Sequence, residues 1–269
     1  MLGDDTPTEP EIGNRSLTGR PSGFGRWLVR LALRLAHAVS ANAVLAITAA
    51  VGAVLLTGFA VAGAEVYEAV TDGDGVAGLD RPVLDTAIGM RSTPVDRFLT
   101  AFTHLGGPTG MTIIASLITV LMVWRWRSRT PLMLMIMAVA GSLLITIVGK
   151  DLVGRNRPPL SDAVPPYESS PSFPSGHALN STVIAGVVAY LLLRRLSSTL
   201  ARVLTVAAAL AWAISIGLSR VFLGHHWLTD VMFGWLVGLA WLSVVITAHR
   251  LYVTVRRVRE ARSEDASAA

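Results

Sequence analysis

The sequence predicts an all-α, polytopic membrane protein, a six-transmembrane-helix bundle with short extracytoplasmic helices. Three observations carry this. The 269-residue chain is 52% hydrophobic and only 15% charged, with a mean hydropathy of +0.55, whereas soluble domains carry about a quarter charged residues. Six apolar stretches have the length a bilayer requires, roughly 17 to 25 residues. The basic residues alternate in number between successive loops, as topology rather than nucleic-acid binding dictates.

The spans follow in order. Ala43–Ala64 contains no charge, and neither does Gly110–Trp124, which can be extended backwards to Phe98. Thr130–Gly149 is the third. Ala178–Leu193 and Val203–Gly217 are shorter, and Val231–His249 is the sixth. Residues 1–25 read as a disordered tail, polar and without the basic start of a signal peptide. Arg26, Arg30 and Arg34 then recur every four residues beside Trp27, Leu31 and Leu35, an amphipathic pattern suited to a lipid surface. Residues 252–269 read as a basic, then featureless, tail. The net charge of +5 would suit nucleic acid if it were clustered. Instead, 16 basic residues fall on the side of the two termini and 7 on the other. Both termini are therefore expected in the cytoplasm. With no cysteine, disulfides and thiolate metal sites are excluded.

The outer loop between the first two spans holds two short helical patterns. Leu79, Val83, Leu84 and Ile88 surround Asp80-Arg81-Pro82, read as a cap with proline in the first turn. Val95, Phe98, Leu99 and Phe102 follow Thr93-Pro94. Packing onto the bundle is the plainer reading of these helices; a surface-lying gate for lipid entry is the sharper one.

The remaining ionisable residues collect on the outer face. Lys150 ends the third span in "GKDLVGRNRPP", the fourth opens with "SFPSGHALNS", and "SRVFLGHHWLTD" joins the fifth to the sixth. Ionisable side chains at membrane level are costly and point to function, although each alone has a bland reading as an anchor or a turn. The three cations Lys150, Arg157 and Arg220 suit a phosphate, because guanidinium forks pair with its oxygens and an ammonium acts as a point charge. Ser175 and Gly176 precede the fourth helix, where free N–H groups are expected to face an anion. His226 and Asp230 are four apart, on one face if the helix reaches back to them; the aspartate would hold one ring nitrogen and free the other. His177 is then the candidate acid–base. His225, five from Asp230, would lie on another face.

Lys150, six residues, Arg157-Pro158; Pro174-Ser175-Gly176-His177; and Ser219-Arg220, five residues, His226, three residues, Asp230 fill a three-part signature in order. This resembles the type 2 phosphatidic acid phosphatase family, the membrane branch of the acid phosphatase and vanadium haloperoxidase superfamily. The resemblance implies a six-helix phosphatase domain over residues 26–251, with its motifs at 150–230. It implies that His226 becomes a phosphohistidine, that Asp230 orients it and that His177 is the acid–base. Lys150, Arg157, Ser175, Gly176 and Arg220 would bind the substrate phosphate.

No metal and no other cofactor is implied, since two-metal phosphatases gather carboxylates and only Asp151 and Asp162 lie nearby. The expected activity is hydrolysis of a membrane lipid phosphate or diphosphate at the outer face of the plasma membrane. A polyprenyl diphosphate ranks first, beside phosphatidate and phosphatidylglycerophosphate. A lipid phosphotransferase sharing the phosphohistidine is the alternative, and a non-catalytic lipid-binding or transport protein a further one.

Overall fold

The computed structural model describes residues 11–12, 15–16 and 41–268. The chain divides into two units, Met1–Ala46 and Ile47–Ala269. In the first, two two-residue strands, β1 (Glu11–Ile12) and β2 (Arg15–Ser16), pair antiparallel. The rest of the expected N-terminal tail, and the Arg26, Arg30 and Arg34 pattern, lie outside the described residues.

Eight helices follow among the described residues: α1 (Ala41–Asp72), α2 (Asp80–Gly89), α3 (Thr93–Leu105), α4 (Pro108–Trp126), α5 (Thr130–Val153), α6 (Gly176–Leu193), α7 (Thr199–Phe222) and α8 (Leu228–Ala268). Six of them, all but α2 and α3, are long and apolar enough to cross a membrane. The expected spans are recovered with longer ends. The second does not run back to Phe98, because Gly106-Gly107-Pro108 separates α3 from α4. The C-terminal segment is not featureless: α8 continues helically to Ala268. No glycine or proline follows Gly238, and Arg256 pairs with Glu260 one turn on at 2.7 Å.

Helix α6 forms the centre. Beyond Thr182 it is apolar on nearly every side, as suits a buried helix, and Leu179, Val183, Ile184, Val187 and Leu191 are all buried. Helices α5, α7 and α8 surround it. Large apolar side chains such as Val54, Leu117, Ile136, Leu144 and Val203 face outward; in a bilayer these are the lipid-facing positions. Helix α8 comes close to the start of α6 because residue 234 is glycine. A Cβ there would lie 2.9 Å from the Ser175 carbonyl oxygen.

The short helices α2 and α3 pack against α7, as the plainer reading has it. Phe102 meets Trp212 edge-on with 5.9 Å between ring centres, and the Ser219 hydroxyl donates to Thr103 Oγ1 at 2.9 Å. The expected cap at Asp80 is corrected. Asp80 is the first residue of α2 and makes no capping hydrogen bond; its carboxylate turns inward, toward the start of α8.

Candidate active site

Four chain breaks at one end of the bundle build the site. Helix α5 closes just beyond Lys150, where Gly154 takes a left-handed conformation (φ +60°) and donates its N–H to the Lys150 carbonyl at 3.0 Å, a glycine-dependent helix ending. The chain from Arg155 to Ser175 then folds over the end of the bundle. Helix α6 starts at Gly176, α7 ends after Arg220, and α8 begins at Leu228.

His226 and Asp230 meet, though not on one helix face. Since α8 starts at Leu228, His226 precedes the helix, and the loop rather than helical register brings its Nδ1 within 3.4 Å of Asp230 Oδ2. Asp230 occupies the third helical position and accepts from the Trp227 backbone N–H at 2.9 Å, the reach-back half of a capping box. His225 instead points its Nε2 at the Val164 carbonyl, 2.7 Å away. The other face of the His226 ring, Nε2, lies 3.3 Å from Arg157 Nη1. Burial, then the positive charges of Arg220, Arg157 and Lys150, hold the His226 imidazole well below its usual range, so it is neutral at pH 7.

Arg157 alone of the three cations contacts this nitrogen; Arg220 and Lys150 act on the ring through their charge. Arg157 donates to the carbonyls of Ser170 at 2.7 Å and His225 at 2.5 Å. Lys150 reaches the Ser170 hydroxyl at 3.1 Å and the Pro171 carbonyl. Arg220, almost fully buried, pairs with Glu168, whose second oxygen lies 2.8 Å from Arg157. Burial pushes the Glu168 carboxyl up, but Arg220 and Arg157 outweigh it and bring it down to about 2. His177, Lys150, Glu168, Ser170, Gly176 and His226 all line one cavity of about 880 Å³.

Ser175 departs from expectation. Its N–H is not free for an anion but donates to the Asp230 carbonyl at 3.1 Å. Its hydroxyl is buried without a hydrogen-bond partner among the described residues, as is Arg220 Nε. Gly176 alone of that pair lines the cavity.

Four residues escaped the sequence reading. The Ser172 hydroxyl donates to Asp230 Oδ2 at 2.5 Å and lies 3.3 Å from His226 Nδ1. Arg155 forks between Asp230 (2.6 Å) and Asp80 (2.7 Å). Asp80 in turn accepts from the Thr229 N–H and hydroxyl at 2.9 and 2.7 Å. Glu168 is the fourth. Arg155 lies inside the first quoted stretch and Ser172 opens the second, but neither stretch shows that these side chains meet Asp230. Among the described residues no group of three or more His, Asp or Glu could hold a metal ion.

The cavity continues away from these polar groups between α4 and α5, lined by Met111, Ala115, Val120, Met135, Ile136 and Leu143. From Lys150 to Leu132 it follows about 27 Å of helix, most of a bilayer's hydrocarbon thickness. Polar chemistry at one end and an apolar groove along the rest suit a phosphorylated lipid.

A family model described as the PAP2 superfamily matches residues 131–252. Phosphatidylglycerophosphatase B of Bacillus subtilis is 30% identical over 167 residues, spanning 61% of this chain and 80% of that protein. The chain belongs to the PAP2 superfamily. The crystal structure of a transmembrane PAP2-type phosphatidylglycerolphosphate phosphatase from B. subtilis superposes with a TM-score of 0.64 at 26% identity, over 74% of this chain and 96% of that one. Aquifex aeolicus LpxE, at 21% identity and a TM-score of 0.50 over 62% and 94% of the two chains, shares the fold. This PAP2 chain is a multi-span membrane protein and a lipid phosphatase.

Proposed function

We propose that this PAP2 phosphatase hydrolyses a terminal lipid phosphate through a phosphohistidine on His226, at the extracytoplasmic face of the plasma membrane. Lys150, Arg157 and Arg220 grip the phosphoryl oxygens, with Gly176 at the start of α6 offering a helix N-terminus beside them. His226 Nε2 attacks phosphorus while its Nδ1–H is held toward Asp230. The P–O bond to the leaving group breaks, and His177 gives that oxygen a proton. His177 then takes a proton from water, whose oxygen attacks phosphorus and releases His226 and phosphate. The lipid chain remains in the groove between α4 and α5. One observation carries this reading: His226 turns one ring nitrogen to a buried carboxylate and the other to a guanidinium.

We rank phosphatidylglycerophosphate ahead of the polyprenyl diphosphate favoured by the sequence alone, and the name of the B. subtilis relative supports that order. Purified protein offered lipid mono- and diphosphates, with and without an acceptor alcohol, tests this by phosphate release. Phosphatidylglycerophosphate is expected to be the best substrate, with free phosphate as product. A preference for polyprenyl diphosphate would reverse the ranking, and phosphate transferred to the alcohol would make the enzyme a phosphotransferase.

A further inference from the structure

Glu168 has no part in the reaction just described, yet its carboxylate sits where a phosphate would. One oxygen pairs with Arg220 and the other, at 2.8 Å, with Arg157. These are the two guanidinium groups of the clamp. Glu168 also lines two cavities: the apolar groove that holds His177 and His226, and a smaller one of about 340 Å³ bounded by Asn156, Pro159, Tyr167 and His225 on the loop side. It is carried on the loop preceding α6, not on a helix, and its side chain is 33% exposed while that of Arg220 is 2% exposed. The more exposed partner of the pair, and the one not held by a helix, is therefore the carboxylate.

We propose that Glu168 is a specificity-determining residue, a tethered carboxylate that competes with phosphate for Arg157 and Arg220. The inference rests on the reading of those arginines as the phosphate clamp. A tethered competitor acts at a high effective concentration, so a ligand must bring more charge or better geometry than a single carboxylate to displace it. A phosphomonoester dianion does so, with three oxygens for the two forks and Lys150. The monoanionic phosphodiester head groups that crowd a bilayer do not. The same competition drives off product phosphate after hydrolysis, with Glu168 swinging back between the arginines.

A purely structural Glu168, needed only to hold two arginines apart, would predict the opposite sign, because its loss would loosen the clamp. Inhibition by orthophosphate and by vanadate is measured for the wild type, Glu168→Gln, Glu168→Asp and Arg220→Ala, each with a thermal unfolding check. Removing a competing charge-assisted pair is expected to tighten both inhibitors about tenfold in Glu168→Gln, while Glu168→Asp stays near the wild type. Unchanged or weaker inhibition in a folded Glu168→Gln overturns the proposal. If the wild type itself ignores both anions, or Arg220→Ala leaves their inhibition unchanged, it is the clamp that is wrong, and the two failures are thereby told apart.

Discussion

His226 Nδ1 stands 3.4 Å from Asp230 Oδ2 although the helix bearing Asp230 begins only at Leu228. The carboxylate is wholly buried and fixed from three further sides, by Ser172, Arg155 and the Trp227 N–H. Such a carboxylate selects the tautomer in which the far nitrogen carries the lone pair. Asp230→Asn should keep the fold but lower kcat by about three to four orders of magnitude, the scale of tautomer loss in a comparable dyad. Steady-state kinetics on a folded variant checks this; a loss below tenfold would remove Asp230 from its orienting role.

Arg155 bridges Asp80 and Asp230 with one guanidinium. Removing one partner of a buried pair leaves uncompensated charge, costing about 3–5 kcal/mol. Arg155→Ala should therefore lose stability of that order, measured by unfolding in detergent, and lose activity with it. Arg155→Lys keeps the charge but cannot fork to both carboxylates, and should fall between. Asp80→Asn should weaken activity through the Thr229 end of α8, without any contact to substrate.

Acid should destabilise the protein in two windows. Burial, then the positive charge of Arg220, lowers His225 from 6.5 to about 4. The unfolded chain thus binds the extra proton first, and stability falls as pH drops from 6.5 toward 4. Glu168 is lowered from 4.5 to about 2, so its contribution is complete above the unfolded value and is lost as pH falls from about 4.5 toward 2. Melting temperature against pH should decline through both ranges. His225→Gln should make the upper decline shallower without abolishing it, since His226 is also held well below its usual range, and Glu168→Gln should flatten the lower. Rising stability on acidification would contradict both assignments.

The absence of cysteine allows a clean topology test. A single cysteine placed in the 162–170 loop should react with an impermeant maleimide in intact cells or spheroplasts, as the 16-to-7 split of basic residues predicts. Labelling only after membrane rupture would put the site on the cytoplasmic side.

The six spans were legible because hydropathy over a bilayer's length is a strong signal, and three spaced motifs named Lys150, Arg157, His177, Arg220, His226 and Asp230. What escaped was long-range and loop-borne. Asp80 lies 149 residues from Thr229, so nothing local tells its inward turn from a helix cap. Ser172 and Glu168 sit in a loop without periodicity, where side-chain direction depends on the folded neighbours. Ser175 looked like an anion-facing N–H donor because the motif does not reveal that the Asp230 carbonyl already takes it. The signature spacing singled out His226, but the helical register offered beside it held only if the helix reached back, and α8 begins two residues too late.

The central claim is that His226, and not its neighbour, takes the phosphoryl group. The direct measurement is rapid quenching of purified protein during turnover of a substrate radiolabelled in its terminal phosphate. Label on the protein should be stable to alkali and labile to acid, as a phosphohistidine is. It should map to His226, survive in His225→Ala and vanish in His226→Ala. Label that persists in His226→Ala, or that maps to His225, would contradict the account.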